Sequence, residues 1–272
     1  MWNKVVRRAR CMLQKPLEAL VPHRFVSSRD AEQFGWYNWK KRELLKGFPI
    51  GAADTVVDVG CGEGSSSDFA AQCGATVYAV DIDAEAIDAV QRRMKGRKLP
   101  RPFHTVQSDA NPLPLEDGVA THVLAQEVME HVDDPRQFLA ELVRIGRPGA
   151  RYLLSVPDPA SESLQKALAP EIYWRKPNHL RVFARDEFDR LVRSAGLEIE
   201  RRTHYSFFWS MWWVLFWSDK GGFAFGSPST PVLSHWNKTW VALMKTPNGA
   251  RIKQALDEFM PKSQIIIARK AA

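Results

Sequence analysis

The chain has 272 residues and three cysteines, Cys11, Cys61 and Cys73, with no C-x-x-C pair. That suits one large α/β core with additions in a reducing, cytoplasmic setting and argues against a disulfide-stapled secreted fold. The formal charge of +7 is concentrated in residues 1–46, with eleven Lys+Arg against four Asp+Glu, while the remainder is balanced at 27 of each, so the composition argues against a basic cleft tracking a phosphate backbone.

In chain order, Trp2, Val5, Val6, Ala9, Met12 and Leu13 recur at helical spacing with Lys4, Arg7, Arg8 and Arg10 between them. The pattern predicts a basic amphipathic helix that lies on an anionic membrane, serves as a transit sequence, or packs on the domain. Residues 1–50 are read as a basic helical N-terminal extension. No apolar run follows the basic residues, which speaks against a secretory signal peptide.

Strand-like and helix-like segments then alternate as in a parallel-sheet protein. Residues 55–60 read as a buried strand, 65–73 as a helix, 76–81 as a strand and 83–95 as a helix capped by Asp83. Further strands are expected at 103–107, 121–126 and 151–156, with a helix at 135–145 and a turn at 147–149. A helix at 186–195 ends at Gly196, and strands follow at 197–202 and 264–269. The expected fold is α/β, a Rossmann-like seven-stranded sheet with helices on both faces, spanning 51–205 plus 263–272.

The interval 206–262 is too long for a loop between neighbouring strands. It opens on the aromatic run from Phe207 to Trp217 and continues with expected helices at 231–244 and 250–259. The run is too short to span a bilayer. An interfacial anchor, a lid over an apolar substrate and plain core all remain open for it.

The chemistry concentrates first in Val56-Val57-Asp58-Val59-Gly60-Cys61-Gly62-Glu63-Gly64, a strand running into a glycine loop. Such glycines let the backbone approach a ligand closely. The third glycine falls one residue too early for G-x-G-x-x-G, which argues against a dinucleotide and for a different adenosyl ligand.

Asp58-x-Gly60-x-Gly62 resembles the first motif of class I S-adenosylmethionine-dependent methyltransferases, of the methyltransferase type 11 kind. Asp81, Ser108-Asp109-Ala110, the Leu113–Gly118 stretch and the Ile145–Gly149 turn follow in that family's order. The resemblance implies S-adenosylmethionine as cofactor, held by Asp58, Gly60, Cys61, Gly62, Asp81, Ile82, Asp109, Ala110 and Gln126. In it, Asp81 accepts from the ribose hydroxyls and Asp109 reads the adenine amino group.

Gln126-Glu127-Val128-Met129-Glu130-His131 follows the fourth strand, where a helical turn would gather Glu127, Glu130 and His131 on one face. The E-x-x-E-H pattern is similar to one in quinone-biosynthesis O-methyltransferases and small-RNA 2′-O-methyltransferases. That likeness implies Mg2+ or another divalent metal on Glu127, Glu130, His131 and His179. The alternative is a metal-free pocket in which His131 acts as general base or only packs.

Two functions follow. In the first, a methyl group passes to a hydroxyl of a small apolar or lipid-linked acceptor, with peripheral contact at the inner membrane surface. In the second, an RNA methyltransferase grips nucleic acid through its N-terminal region, with Trp36, Tyr37 and Trp39 among Lys40, Lys41 and Arg42 available to stack bases. Those aromatics could equally close over the cofactor.

Overall fold

The structure, a computed structural model, describes residues 30–176, 178–218 and 230–272. The amphipathic helix expected over residues 1–13 lies outside these residues. Within the stretch expected to be helical, residues 36–49 instead form a small antiparallel sheet of β1 (Trp36–Asn38), β2 (Glu43–Leu45) and β3 (Phe48–Pro49). Left-handed backbone at Tyr37 (φ 52) and Arg42 (φ 54) turns the chain there, which no helix accommodates.

The main sheet comprises β4 (Thr55–Val59), β5 (Thr76–Asp81), β6 (Phe103–Gln107), β7 (Ala120–Gln126), β8 (Gly146–Pro157), β9 (Leu197–Tyr205) and β10 (Ser263–Lys270). Their order is β6-β5-β4-β7-β8-β10-β9, with β10 antiparallel to both of its neighbours. The central strands are buried on both faces, so they read as continuous apolar runs. Alternate residues split between two cores: Val56, Leu124, Leu153 and Ile265 on one side, Val57, Val123, Leu154 and Ile266 on the other.

Helix α1 (Ser65–Gln72) and the small sheet cover the first face through Phe69, Leu44 and Phe48. Helix α2 (Ala84–Met94) packs on β5 and β6, and Asp83 caps it by accepting from the Glu85 N–H at 2.9 Å. Helices α3 (Pro135–Ile145) and α5 (Arg185–Ser194) cover the second face through Leu139, Leu142, Phe188 and Val192. Between them lie α4 (Pro159–Lys166) and a 3-10 turn at Glu171–Trp174. Arg147-Pro148-Gly149 is not a turn before β8 but part of it, where pairing with β7 skips from Ala120–Gly146 to His122–Arg151.

Between β9 and β10 stand α6 (Phe207–Ser218), α7 (Pro231–Met244) and α8 (Gly249–Phe259). They share a third core around Phe208, Trp212, Leu233 and Trp240. A buried ion network ties this unit to the first described residues. Asp30 accepts from Ser206 Oγ at 2.7 Å and Trp240 Nε1 at 3.0 Å, and Lys253 bridges Asp30 at 3.0 Å and Asp257 at 2.5 Å.

Candidate active site

Parallel strands β6, β5, β4 and β7 deliver their C-terminal ends to one edge of the sheet, where Asp109, Asp81, the glycine loop and Gln126 stand in that order. Gly60 has φ 74, and a Cβ there would lie 2.2 Å from Val128 Cγ2, so the loop and the segment after β7 touch only because the side chain is absent. Gly62 has φ 54 and nothing within 4 Å of where a Cβ would be: its exposed side faces open space.

The acidic residues hold this loop. Asp81 accepts from the N–H groups of Gly62 at 2.8 Å and Asp83 at 2.9 Å. Asp58 is buried and accepts from Ser67 Oγ at 2.6 Å; burial, together with the charge of Asp81, pushes it up to about 6 against that bond. Burial also raises the Cys61 thiol, with Asp58 and Asp81 adding to it, so Cys61 is no nucleophile. Gln126 Oε1 accepts from Ser66 Oγ at 3.2 Å, and Tyr37 bonds the same serine, which brings the small sheet onto the loop.

Ile82 is 68% exposed beside Asp81, an unusual display for an aliphatic side chain at a ligand edge. Asp109 accepts from the Asn111 N–H at 3.0 Å in a tight turn, and Ala110 is buried at φ 61. The aromatics that could have stacked bases mostly face inward. Trp36 is 7% exposed, Tyr37 packs edge-on against Phe69 at 5.6 Å, and Trp39, though exposed, lies 4.4 Å from the same ring.

The segment after β7 is a turn rather than a helix, and its geometry separates the four expected metal ligands. Glu127 adopts φ 55 and points to Lys262 Nζ at 2.6 Å, with Ser155 Oγ on its other oxygen at 3.0 Å. Glu130, His131 and His179 do converge, each offering a ligand atom within 4.8 Å of the others. The Leu180 N–H donates to the Glu130 carbonyl at 2.9 Å and so brings the His179 loop alongside. His131 Nε2 lies 3.6 Å from Glu130, and the His131 and His179 rings meet at 5.0 Å.

His179 is braced from behind by Glu162 of α4, Nδ1 to Oε2 at 2.7 Å, and its Nε2 faces the Tyr173 hydroxyl at 3.5 Å. A carboxylate behind an imidazole is the usual support of a metal-binding histidine. Two imidazoles and one carboxylate thus fit a divalent ion, and Glu127 stands outside that set. Burial disfavours charge on Lys262 and on Glu127, yet each sustains the other: the lysine stays above its usual pKa through Glu127, Glu162 and Glu130, and the carboxylate below its own.

Lys262, Glu162, Tyr173 and Trp217 were not foreseen from the sequence. Trp217, near the end of α6, donates to Gln165 at 3.2 Å and meets the Tyr173 ring at 5.3 Å, so the aromatic helix reaches the histidine cluster. Asp158-Pro159 before α4, a cap followed by proline in the first turn, was a readable signal for Glu162. Lys262 carried no local signal.

The fold and the loop define a Rossmann-like α/β domain whose ligand edge lies at the strand C-termini. Residues 57–154 match the family described as "Methyltransferase domain". The ubiquinone biosynthesis O-methyltransferase of Thiobacillus denitrificans is 29% identical over 160 residues, covering 56% of this chain and 68% of that one. Among solved structures, a geranyl diphosphate methyltransferase in complex with GPP and sinefungin superposes with a TM-score of 0.57 at 19% identity, over 92% of this chain and 79% of that one.

A [4+2]-cyclase, SpnF, shares the fold equally well, with a TM-score of 0.55 at 18% identity over 95% of this chain and 85% of that one. Fold alone therefore does not set the reaction. The chain carries a class I S-adenosylmethionine-dependent methyltransferase domain. It spans between 32% and 68% of the length of the curated relatives it matches.

Proposed function

We propose that the protein transfers a methyl group from S-adenosylmethionine to a hydroxyl of a small apolar or lipid-linked acceptor, in the cytoplasm at the inner membrane surface. The observation that carries this reading is the junction of two unlike surfaces beyond Gln126. The Glu130/His131/His179 cluster supplies polar chemistry, and Tyr173 with Trp217 leads from it into an aromatic helix. A relative named for ubiquinone biosynthesis and a structural neighbour holding a geranyl diphosphate support an apolar acceptor.

The chain's residues have three tasks. The open face at Gly62, Asp81 and the exposed Ile82 suit an adenosyl ligand by close backbone approach, hydrogen bonding and apolar contact. S-adenosylmethionine supplies a methyl group already activated on a sulfonium, so the protein must position the acceptor and take its proton. His131, beside Glu130, is placed to accept that proton, a role that contributes about 10²–10⁴-fold in rate. Glu162 and Tyr173 fix the ring of His179 next to it.

As a second reading, Glu130, His131 and His179 would hold a divalent ion, which lowers the pKa of a bound hydroxyl. Loss of transfer on chelation, restored by added metal, distinguishes it from the first. The nucleic-acid reading loses support with the inward-facing Trp36 and Tyr37.

The test is transfer of labelled methyl into a cell extract, partitioned by solubility. Label in the organic phase is expected. Label confined to the nucleic-acid or protein fraction refutes the proposed acceptor.

A further inference from the structure

Exposed apolar residues are unevenly distributed over this molecule. Among the described residues, seven large hydrophobic side chains are exposed, and five of them, Leu164, Leu168, Val232, Ile252 and Phe259, belong to the inserted helices or to α4 and the turn after it. Helix α4 packs directly on α6. Phe259 reaches 75% exposure, well beyond what a core needs at its margin. Helix α6 has no charged residue in twelve, and its Met211 and Val214 are half-exposed outside the aromatic core of the insertion.

The exposed charge of the same region is in basic excess. Lys166, Lys238, Lys245 and Arg251 are exposed on α4, α7, α8 and the turn between the last two, against exposed Glu258 on α8, while Asp257 and Glu162 are turned inward onto Lys253 and His179. The chain outside the structure adds to this. Residues 1–29 carry seven Lys+Arg against one Glu, and they join the fold at Asp30, whose carboxylate is buried against Ser206, Trp240 and Lys253 of the insertion. Twenty-nine residues with most of the molecule's charge excess therefore start from this unit.

We infer that the inserted helices, with α4, are a docking surface for an anionic lipid bilayer. Tryptophan and phenylalanine suit the water–lipid boundary, while lysine and arginine beside them meet anionic headgroups. Docking there would present the aromatic helix, and through Trp217 and Tyr173 the histidine cluster, to a lipid-dissolved acceptor. The purpose of the surface rests on the proposed apolar acceptor; the surface itself rests on exposure and charge.

Flotation of the full chain with phosphatidylglycerol-containing vesicles and with pure phosphatidylcholine vesicles tests the inference, with S-adenosylhomocysteine binding measured on the same samples. Binding to the anionic vesicles is expected, weakening with salt. Charge reversal at Lys238 and Arg251 should lower the partition about fivefold per cation lost. Phe259→Glu with Ile252→Glu should lower it further, and because both side chains are exposed the variant should melt as the parent does.

Absence of anionic-vesicle binding overturns the inference, as does unaltered binding by both variants. A lipid-independent dimer lost with Phe259→Glu also overturns it, since a second copy would then own the surface. Vesicle binding that fails while S-adenosylhomocysteine still binds refutes the surface alone; loss of nucleoside binding in the parent would strike the proposed function instead.

Discussion

The two halves of the site are built in opposite ways. Along β4, β5, β6 and β7, each residue at the ligand edge follows a strand end within a few residues, and strand order alone brings them together. On the proposed acceptor side, Glu127 meets Lys262 across 135 positions, and His179 is held by a carboxylate from α4 and a hydroxyl from the 3-10 turn. The lesson is that a nucleotide-type site can be written in local spacing, whereas a site for a variable acceptor is assembled by long-range pairing.

That contrast can be broken first at Gly60. Gly60→Val should abolish S-adenosylhomocysteine binding and destabilise the fold by about 3 kcal/mol or more, because its side chain would overlap Val128 at a left-handed backbone position; calorimetry and thermal melting read both. Lys262→Met should cost about 2 kcal/mol of stability by leaving Glu127 without its cation, a value reduced by the pair's partial exposure. If the halves are separate, its nucleoside affinity stays within about twofold of the parent. A parallel collapse of affinity would merge them.

Asp58 sharpens the comparison through pH. Its folded-state value of about 6 lies above the ordinary 3.8, so ionisation opposes folding, and the cost is fully present above about 6 and vanishes as pH falls below about 4. Asp58→Asn should therefore gain about 2 kcal/mol over the parent at pH 8 and nothing near pH 4, as followed by urea unfolding. A pH-independent difference would reject the buried charge. The smallest expected effect on stability is Gly62→Ala, about 1 kcal/mol for the left-handed backbone, with affinity falling roughly tenfold because the methyl enters ligand space.

Legibility followed the same division. The strands at 76–81 and 103–107 and the helix at 135–145 were readable to the residue, because short runs rich in Val, Thr, Tyr and Phe and regular helical spacing leave local marks. Helices on both sheet faces and the inserted helices before the last strand were legible too. The small sheet at 36–49 was not, since its turns depend on left-handed Tyr37 and Arg42, residue types that do not advertise that conformation. The shared face expected for Glu127, Glu130 and His131 failed for the same reason at Glu127, whose φ of 55 swings its carboxylate to Lys262.

The most direct test of the central claim is methyl transfer by His131→Ala with S-adenosylhomocysteine affinity measured alongside. The proposed role predicts a rate loss of about 10²–10⁴-fold with affinity preserved, because His131 stands beside Glu130 and outside the glycine loop. Transfer at the parental rate, or a loss explained by weakened nucleoside binding, would contradict that assignment.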